Sequence, residues 1–197
     1  MRQATVNRQT AETQISLTLN LDGTGCYGID TGIGFFNHLL ELFAAHGSFD
    51  LCLQCRGDLV VDGHHTVEDV GIALGTAFRQ ALGEKRGIHR YADLVLPMDE
   101  ALILIALDLS GRSYLGYEVN FTAPMIGQWD TQLLEEFLLA LTRSMGLTLH
   151  VRQLAGKNAH HIAEAVLKGL GRALRRAVAI QPDMEGKVPS TKGSLQG

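Results

Sequence analysis

His64-His65-Thr66-Val67-Glu68 decides the architecture, because the chain repeats it as His160-His161-Ile162-Ala163-Glu164, ninety-six residues on. At the same offset Val70 pairs with Val166, Gly75 with Gly171, Ala77 with Ala173, Arg79 with Arg175 and Ala81 with Ala177. A match that outlasts one motif implies that a whole supersecondary unit has been duplicated. Working outward, the helical stripes upstream of each motif also align, at an offset near 98: Phe36 with Leu134, Leu39 with Phe137, Leu40 with Leu138, Phe43 with Leu141. Under that alignment His38 falls opposite Glu136. Each half therefore reads as helix, strand, loop and long helix, and the chain as a single α+β domain with internal pseudo-twofold symmetry. The repeats span about 1–92 and 93–185, with a tail at 186–197.

Between these anchors, residues 13–21 alternate with Ile15, Leu17, Leu19 and Leu21 on one face, a half-buried strand ended by Asp22-Gly23. Asp30-Thr31 opens a helix that runs to Gly47, a natural stop. Residues 48–56 and 58–62 read as strands, and the first His-His motif then opens a long helix. Leu94 to Leu96, Leu102 to Leu109 and Leu115 to Phe121 have strand character; Gln132 to Met145 is helical, stopped by Gly146. The strand Leu147 to Gln153 leads into the second His-His helix. From Pro182 the tail is polar and Gly-rich, a composition that defaults to disorder.

Composition narrows the functional classes. A net charge of -4 over 197 residues supplies no general field for nucleic acid or an anionic membrane. No charge-free apolar run approaches the ~20 residues of a membrane span, and MRQATVNRQT lacks a signal-peptide core. Three Cys imply no disulfide framework and fit a reducing cytoplasm; Cys52 and Cys55 read as strand filler. The expectation is a cytoplasmic protein with no nucleic-acid or membrane partner.

On a helix, His64 and Glu68 are i and i+4, and His65 and Glu68 are i and i+3, so either imidazole can share a ligand site with the carboxylate. Neighbouring histidines point about 100° apart and so at different partners. Two motifs supply His64, His65, Glu68, His160, His161 and Glu164; His38 and Glu136 would make eight donors. Two ions with four protein donors each keep open positions in octahedral coordination, as catalysis requires. Imidazole and carboxylate without thiolate suit Mn, Fe(II) or Co better than structural Zn. One His-His pair is explained by core packing, but two with matched Glu spacing are not, since burying that many unpaired titratable groups is costly. The spacing is not H-E-x-x-H, which excludes the metalloprotease reading. Glu12, beside the first strand, needs no function taken alone, and His46 sits where a helix C-terminus tolerates a cation. Arg90, Arg112, Lys168 and Ser190-Thr191-Lys192 are candidates for a phosphate cluster.

Asp62-Gly63-His64-His65-Thr66-Val67-Glu68-Asp69, Gly156-Lys157-Asn158-Ala159-His160-His161-Ile162-Ala163-Glu164 and Leu109-Ser110-Gly111-Arg112 together resemble the imidazoleglycerol-phosphate dehydratase family of histidine biosynthesis. The likeness runs from Glu12 to Lys192 and, at this length, to the form without a fused phosphatase. It implies a duplicated fold like domain 2 of ribosomal protein S5, a homo-oligomer of twenty-four subunits with active sites at subunit contacts, and two manganese ions per active site. Its metal ligands carry over to His38, His64, His65, Glu68, His160, His161 and Glu164; the eighth, a His in some members, is Glu136 here. Its substrate contacts fall on Glu12, His38, His46, Arg90, Arg112, Lys168, Ser190, Thr191 and Lys192. The reaction implied is loss of water from imidazole glycerol phosphate to give imidazole acetol phosphate, the azole ring's electrons expelling the neighbouring hydroxyl. Glu12 is then the candidate base, with His65, Glu68, His161 and Glu164 at the reacting centre. Two rivals stand beside this: another di-metal lyase or hydrolase of a phosphorylated heterocycle, and a non-catalytic RNA-binding or assembly module, which the absence of a basic stripe disfavours.

Overall fold

The computed structural model describes residues 2–184 and 186–195. The first repeat runs β1 (Gln3–Gln9), β2 (Thr13–Asn20), β3 (Tyr27–Asp30), α1 (Gly34–Gly47), β4 (Asp50–Gly57) and α2 (His64–Leu82). The second runs β5 (Tyr91–Met98), β6 (Ala101–Asp108), β7 (Tyr114–Glu118), a short ribbon of β8 (Met125–Ile126) and β9 (Trp129–Asp130), then α3 (Leu133–Met145), β10 (Thr148–Ala155) and α4 (Ala159–Val178). The sheet orders are β1-β2-β4-β3 and β5-β6-β10-β7. In each sheet the first three neighbours are antiparallel and the last strand is parallel to its partner. The duplication expected from the repeated motif is thus a duplication of strand order and polarity, with β8–β9 added to the second copy.

The helices of one repeat pack on those of the other, α1 against α4 and α2 against α3, between the two sheets. The expected stripes form that seam: Phe36, Leu39, Leu40 and Phe43 on α1 and Leu134, Phe137, Leu138 and Leu141 on α3 are all buried. Close approach at each crossing depends on a glycine. A Cβ on Gly75 would lie 2.6 Å from the Leu141 carbonyl oxygen, and one on Gly171 would lie 2.5 Å from that of Phe43. Gly75 and Gly171, like Leu141 and Phe43, are repeat-equivalent, so both crossings have one geometry.

Several local expectations are corrected. Gly47 is not the stop of α1: it is the last helical residue, and Ser48 caps the helix in the left-handed region at φ 51°. Gly47 is glycine because a side chain there would run into the Phe49 ring and the Gly171 carbonyl. Gly146 does end α3, at φ 70°. Residues 58–62 are a turn, not a strand, closed by Val61 N–H donating to the Asp58 carbonyl at 2.8 Å, with Val60 and Val61 exposed. Their apolar run has no neighbouring strand to pair with, because the chain must turn there to start α2. The tail is ordered where described. The carbonyls of Gly186, Lys187 and Pro189 accept from Arg86, the Gly87 N–H and Arg90, while the buried Lys85 ammonium donates to the carbonyls of Leu109 and Leu195. Captured carbonyls do for this segment what a hydrophobic core does elsewhere. Cys52 is exposed and Cys55 buried, on opposite faces of β4, as strand filler would be.

Candidate active site

Each His-His motif opens its helix with the same local device. Asp62 accepts from the His64 N–H at 2.7 Å, and Asn158 from the His160 N–H at 3.0 Å. A short polar side chain two residues ahead thus satisfies an orphan donor of the first turn, and the helical rotation sends the two imidazoles different ways. His160 turns toward α1. There His38 Nε2 and His160 Nε2 lie 2.7 and 2.9 Å from Glu164 Oε1, while Lys168 Nζ donates to Glu164 Oε2 at 2.7 Å. Burial alone would raise the Glu164 carboxyl, but hydrogen bonds from Lys168, His38 and His160 outweigh it and hold it at about 2. Glu164 is therefore an anion at any physiological pH. One donor atom from each of His38, His160 and Glu164 lies within 4.8 Å of the other two. Two imidazoles and an ionised carboxylate converging this closely fit a divalent first-row cation.

The repeat sets this triad opposite Glu136, His64 and Glu68, but among the described residues only His38, His160 and Glu164 bring their donor atoms together. His64 and Glu136 join His38 and His160 in lining one cavity of about 1150 Å³, walled by Phe35 and Trp129. Glu68 lies half-buried on α2 one turn after His64 and is not among the residues lining that cavity. Where α4 carries Lys168 after its glutamate, α2 carries Ile72, so the two halves of the site differ in charge.

His65 and His161 point the other way, toward the strand hairpins. His65 Nδ1 is 3.0 Å from Asp58 Oδ2, and its Nε2 is 3.7 Å from Glu12 Oε1. His161 Nδ1 is 2.7 Å from Glu100 Oε2, and its Nε2 is 3.7 Å from Asp99 Oδ2. Asp58 raises the His65 pKa and Glu100 that of His161, in each case chiefly through the hydrogen bond; the same contact brings Glu100 down to about 2. Asp58, Asp99 and Glu100 were missed by sequence reasoning. Asp99-Glu100 did carry a signal, since it is the turn between two apolar strands in the position that Glu12 holds in the first repeat.

The residues assigned to phosphate divide into two groups. Lys168 and His46 share a basic hollow of about 750 Å³ with Arg172, Arg175 and Arg176, three cations not singled out from sequence. Partial desolvation, then the charges of Lys168 and Arg172, lower the His46 pKa. Arg90 instead pairs with Asp108 at 2.7 Å and donates to the Pro189 carbonyl at 2.8 Å, which brings the tail beside it. Ser190 Oγ accepts from the Lys192 N–H at 3.2 Å, Thr191 is exposed, and Arg112 projects from the loop after β6, its N–H on Ser110 Oγ at 3.1 Å. Arg90 precedes β5, whereas Met98 at the far end of β5 touches Lys168 at 3.4 Å. The two groups are thus separated by a strand length of roughly 23 Å within one protomer.

A family model described as imidazoleglycerol-phosphate dehydratase matches residues 31–174. The chain belongs to that family. The match takes in every residue from His38 to Lys168; Glu12 and the tail are covered by full-length relatives. An imidazoleglycerol-phosphate dehydratase of Methylorubrum extorquens is 59% identical over 195 residues, 99% of this chain and 100% of its own. One from Azorhizobium caulinodans is 58% identical over 197 residues, the whole of both chains. Among solved structures, the Staphylococcus aureus family member superposes with a TM-score of 0.83 at 34% identity, covering 91% of this chain and 99% of its own. The Pyrococcus furiosus member gives 0.83 at 36% identity, covering 96% and 99%. These likenesses extend over both repeats, so the family's fold is this chain's fold. No described helix is long and apolar enough to cross a membrane.

Proposed function

We propose that this chain is a hydro-lyase that dehydrates imidazole glycerol phosphate to imidazole acetol phosphate in histidine biosynthesis, in the cytoplasm, with two manganese ions per active site. The observation that carries the reading is the His38–His160–Glu164 triad; Glu136, His64 and Glu68, matched to it by the sequence repeat, would hold the second ion. His65 and His161, facing away from the cavity, are the remaining ligands. Bound there, a pair of divalent ions would supply Lewis-acid polarisation and a template for an azole ring.

The rest is the work of the chain's own side chains. Glu12 sits 3.7 Å from His65 Nε2 on an exposed hairpin turn, free to reach a substrate carbon and take its proton. Arg90, Arg112, Ser190, Thr191 and Lys192 clamp the phosphate, with Lys168 and His46 on the metal side, which holds the reacting carbons in register. The strand length between the two phosphate groups supports an active site assembled from more than one copy, in a homo-oligomer of twenty-four. The cations of α4 gather in a hollow beside His46, which suits a small phosphorylated ligand, and the net charge of -4 supplies no general field for nucleic acid.

Glu12→Gln is expected to retain manganese at wild-type stoichiometry while kcat falls by about 10²- to 10⁴-fold, the range for a positioned proton-transfer group. Metal analysis alongside product formation from imidazole glycerol phosphate checks this; metal loss would show that Glu12 is a ligand instead. Co-assembly of Glu164→Gln chains with Arg112→Ala chains, each inactive alone, should recover about a quarter of wild-type activity. Random mixing leaves roughly that share of sites with both groups intact if they come from different copies. No recovery would place both groups of a working site on one chain.

A further inference from the structure

We propose that Asp58 and Glu100 are positioning residues for His65 and His161: each carboxylate accepts the Nδ1–H of its imidazole and so leaves Nε2, on the side of Glu12 and of Asp99 respectively, as the ring's only lone pair. This rests on the metal reading above and deepens it by fixing which nitrogen ligates. A neutral imidazole has one donor and one acceptor nitrogen, and the partner of one decides the role of the other. The distances, 3.0 Å from Asp58 Oδ2 to His65 Nδ1 and 2.7 Å from Glu100 Oε2 to His161 Nδ1, are those of made hydrogen bonds.

Two further observations separate this from chance surface pairing. The two carboxylates are not repeat-equivalent: Asp58 follows β4, whereas Glu100 lies in the hairpin between β5 and β6. The region matching Asp58 in the second repeat, Leu154 to Gly156, has no acid, and the turn matching Glu100 contains only Glu12. Duplication alone would have copied one position; here the same contact is reached by two routes. Each carboxylate is also held in place. Glu100 Oε1 accepts from the Asn158 N–H at 2.8 Å and the Lys157 N–H at 3.3 Å, which dedicates Oε2 to His161. The Asp58 N–H donates to the Glu12 carbonyl at 3.1 Å, tying it to the hairpin that carries Glu12. A half-exposed ion pair adds little to stability, so the consequence to look for is orientation and not folding energy.

The test uses the full-length assembled protein, with Mn²⁺ itself as the probe. Asp58→Ala and Glu100→Ala should each weaken Mn²⁺ binding by about 10- to 100-fold, the range for removing the partner of a metal-ligating histidine. Asp58→Asn and Glu100→Gln keep an oxygen that can accept from Nδ1–H and should stay close to wild type. In the metal-free protein labelled with ¹⁵N-histidine, wild-type His65 and His161 should carry the proton on Nδ1, and the alanine variants should lose that preference. Unchanged Mn²⁺ affinity and unchanged tautomers in both alanine variants would overturn the proposal and leave the dehydratase reading standing. A wild-type chain that binds no Mn²⁺ would overturn the metal reading and this proposal together, and would show itself before any substitution is made.

Discussion

Glu164→Gln is expected to lose the proposed manganese and turnover together, with kcat/KM down on the order of 10³-fold, because one buried oxygen pair serves every group at the centre of the site. Glu164 Oε1 takes both His38 and His160, and Oε2 takes Lys168. An amide keeps one acceptor oxygen and no charge, so it can neither pair with Lys168 as the carboxylate does nor ligate a divalent cation as an anion. Losing a Lewis acid forfeits several kcal/mol of transition-state stabilisation, which is the expected rate loss. The substitution also changes how the metal-free protein responds to acid. The folded pKa of Glu164, about 2, lies below its ordinary 4.5. Its ionised form therefore supports the fold above pH 4.5, and that support drains away as pH falls toward 2. Urea unfolding of the metal-free protein should weaken more steeply over that interval in wild type than in Glu164→Gln; equal slopes would mean that the carboxylate is not held by its neighbours.

The second large effect is structural. Gly171→Val should cost about 3 kcal/mol, at the upper end of overpacking penalties, and lower Tm by about 6–12 °C for a chain of this size. The added Cβ would stand 2.5 Å from the Phe43 carbonyl oxygen and 3.0 Å from the Gly47 nitrogen, and backbone cannot rotate aside. Pushing α4 off α1 would also pull His160 and Glu164 away from His38, so metal affinity should fall with Tm. Gly75→Val tests the symmetric crossing, and Gly28→Val, whose Cβ meets nothing within 4 Å, is the control that should leave Tm unchanged. Thermal melts of the four proteins decide it; a tolerated Gly171→Val would mean that the helix seam is looser than its geometry indicates.

Particular residues show how much of this was legible in the sequence. The motif pair and the aligned stripes of α1 and α3 disclosed the duplication, since helical periodicity is written locally and burial of both stripes forces the helices together. β1 and β3 were not legible: Gln3–Gln9 turns only Ala4 fully to the core, and Tyr27–Asp30 is four residues with a glycine, so both depend on the neighbours they pair with. Leu59-Val60-Val61 misled in the opposite sense, having strand character and no partner. The tail's order rests on carbonyls captured by Lys85, Arg86 and Arg90, which its own composition does not reveal. At the site, residues on the motif helices could be named from spacing. Asp58, Asp99 and Glu100 could not, because strand ends and hairpin turns bring them to the imidazoles from elsewhere in the chain.

The central claim, that imidazoles and carboxylates from the two repeats hold a pair of divalent cations, is tested most directly by diffraction at the manganese absorption edge from crystals of the manganese-loaded protein. Two anomalous peaks per chain are predicted, one bonded to Nε2 of His38 or His160 and to the Glu164 carboxylate, the other on the His64–Glu68–Glu136 side. A fully loaded crystal with no peak at the His38–His160–Glu164 triad or beside His64, Glu68 and Glu136 would contradict the account.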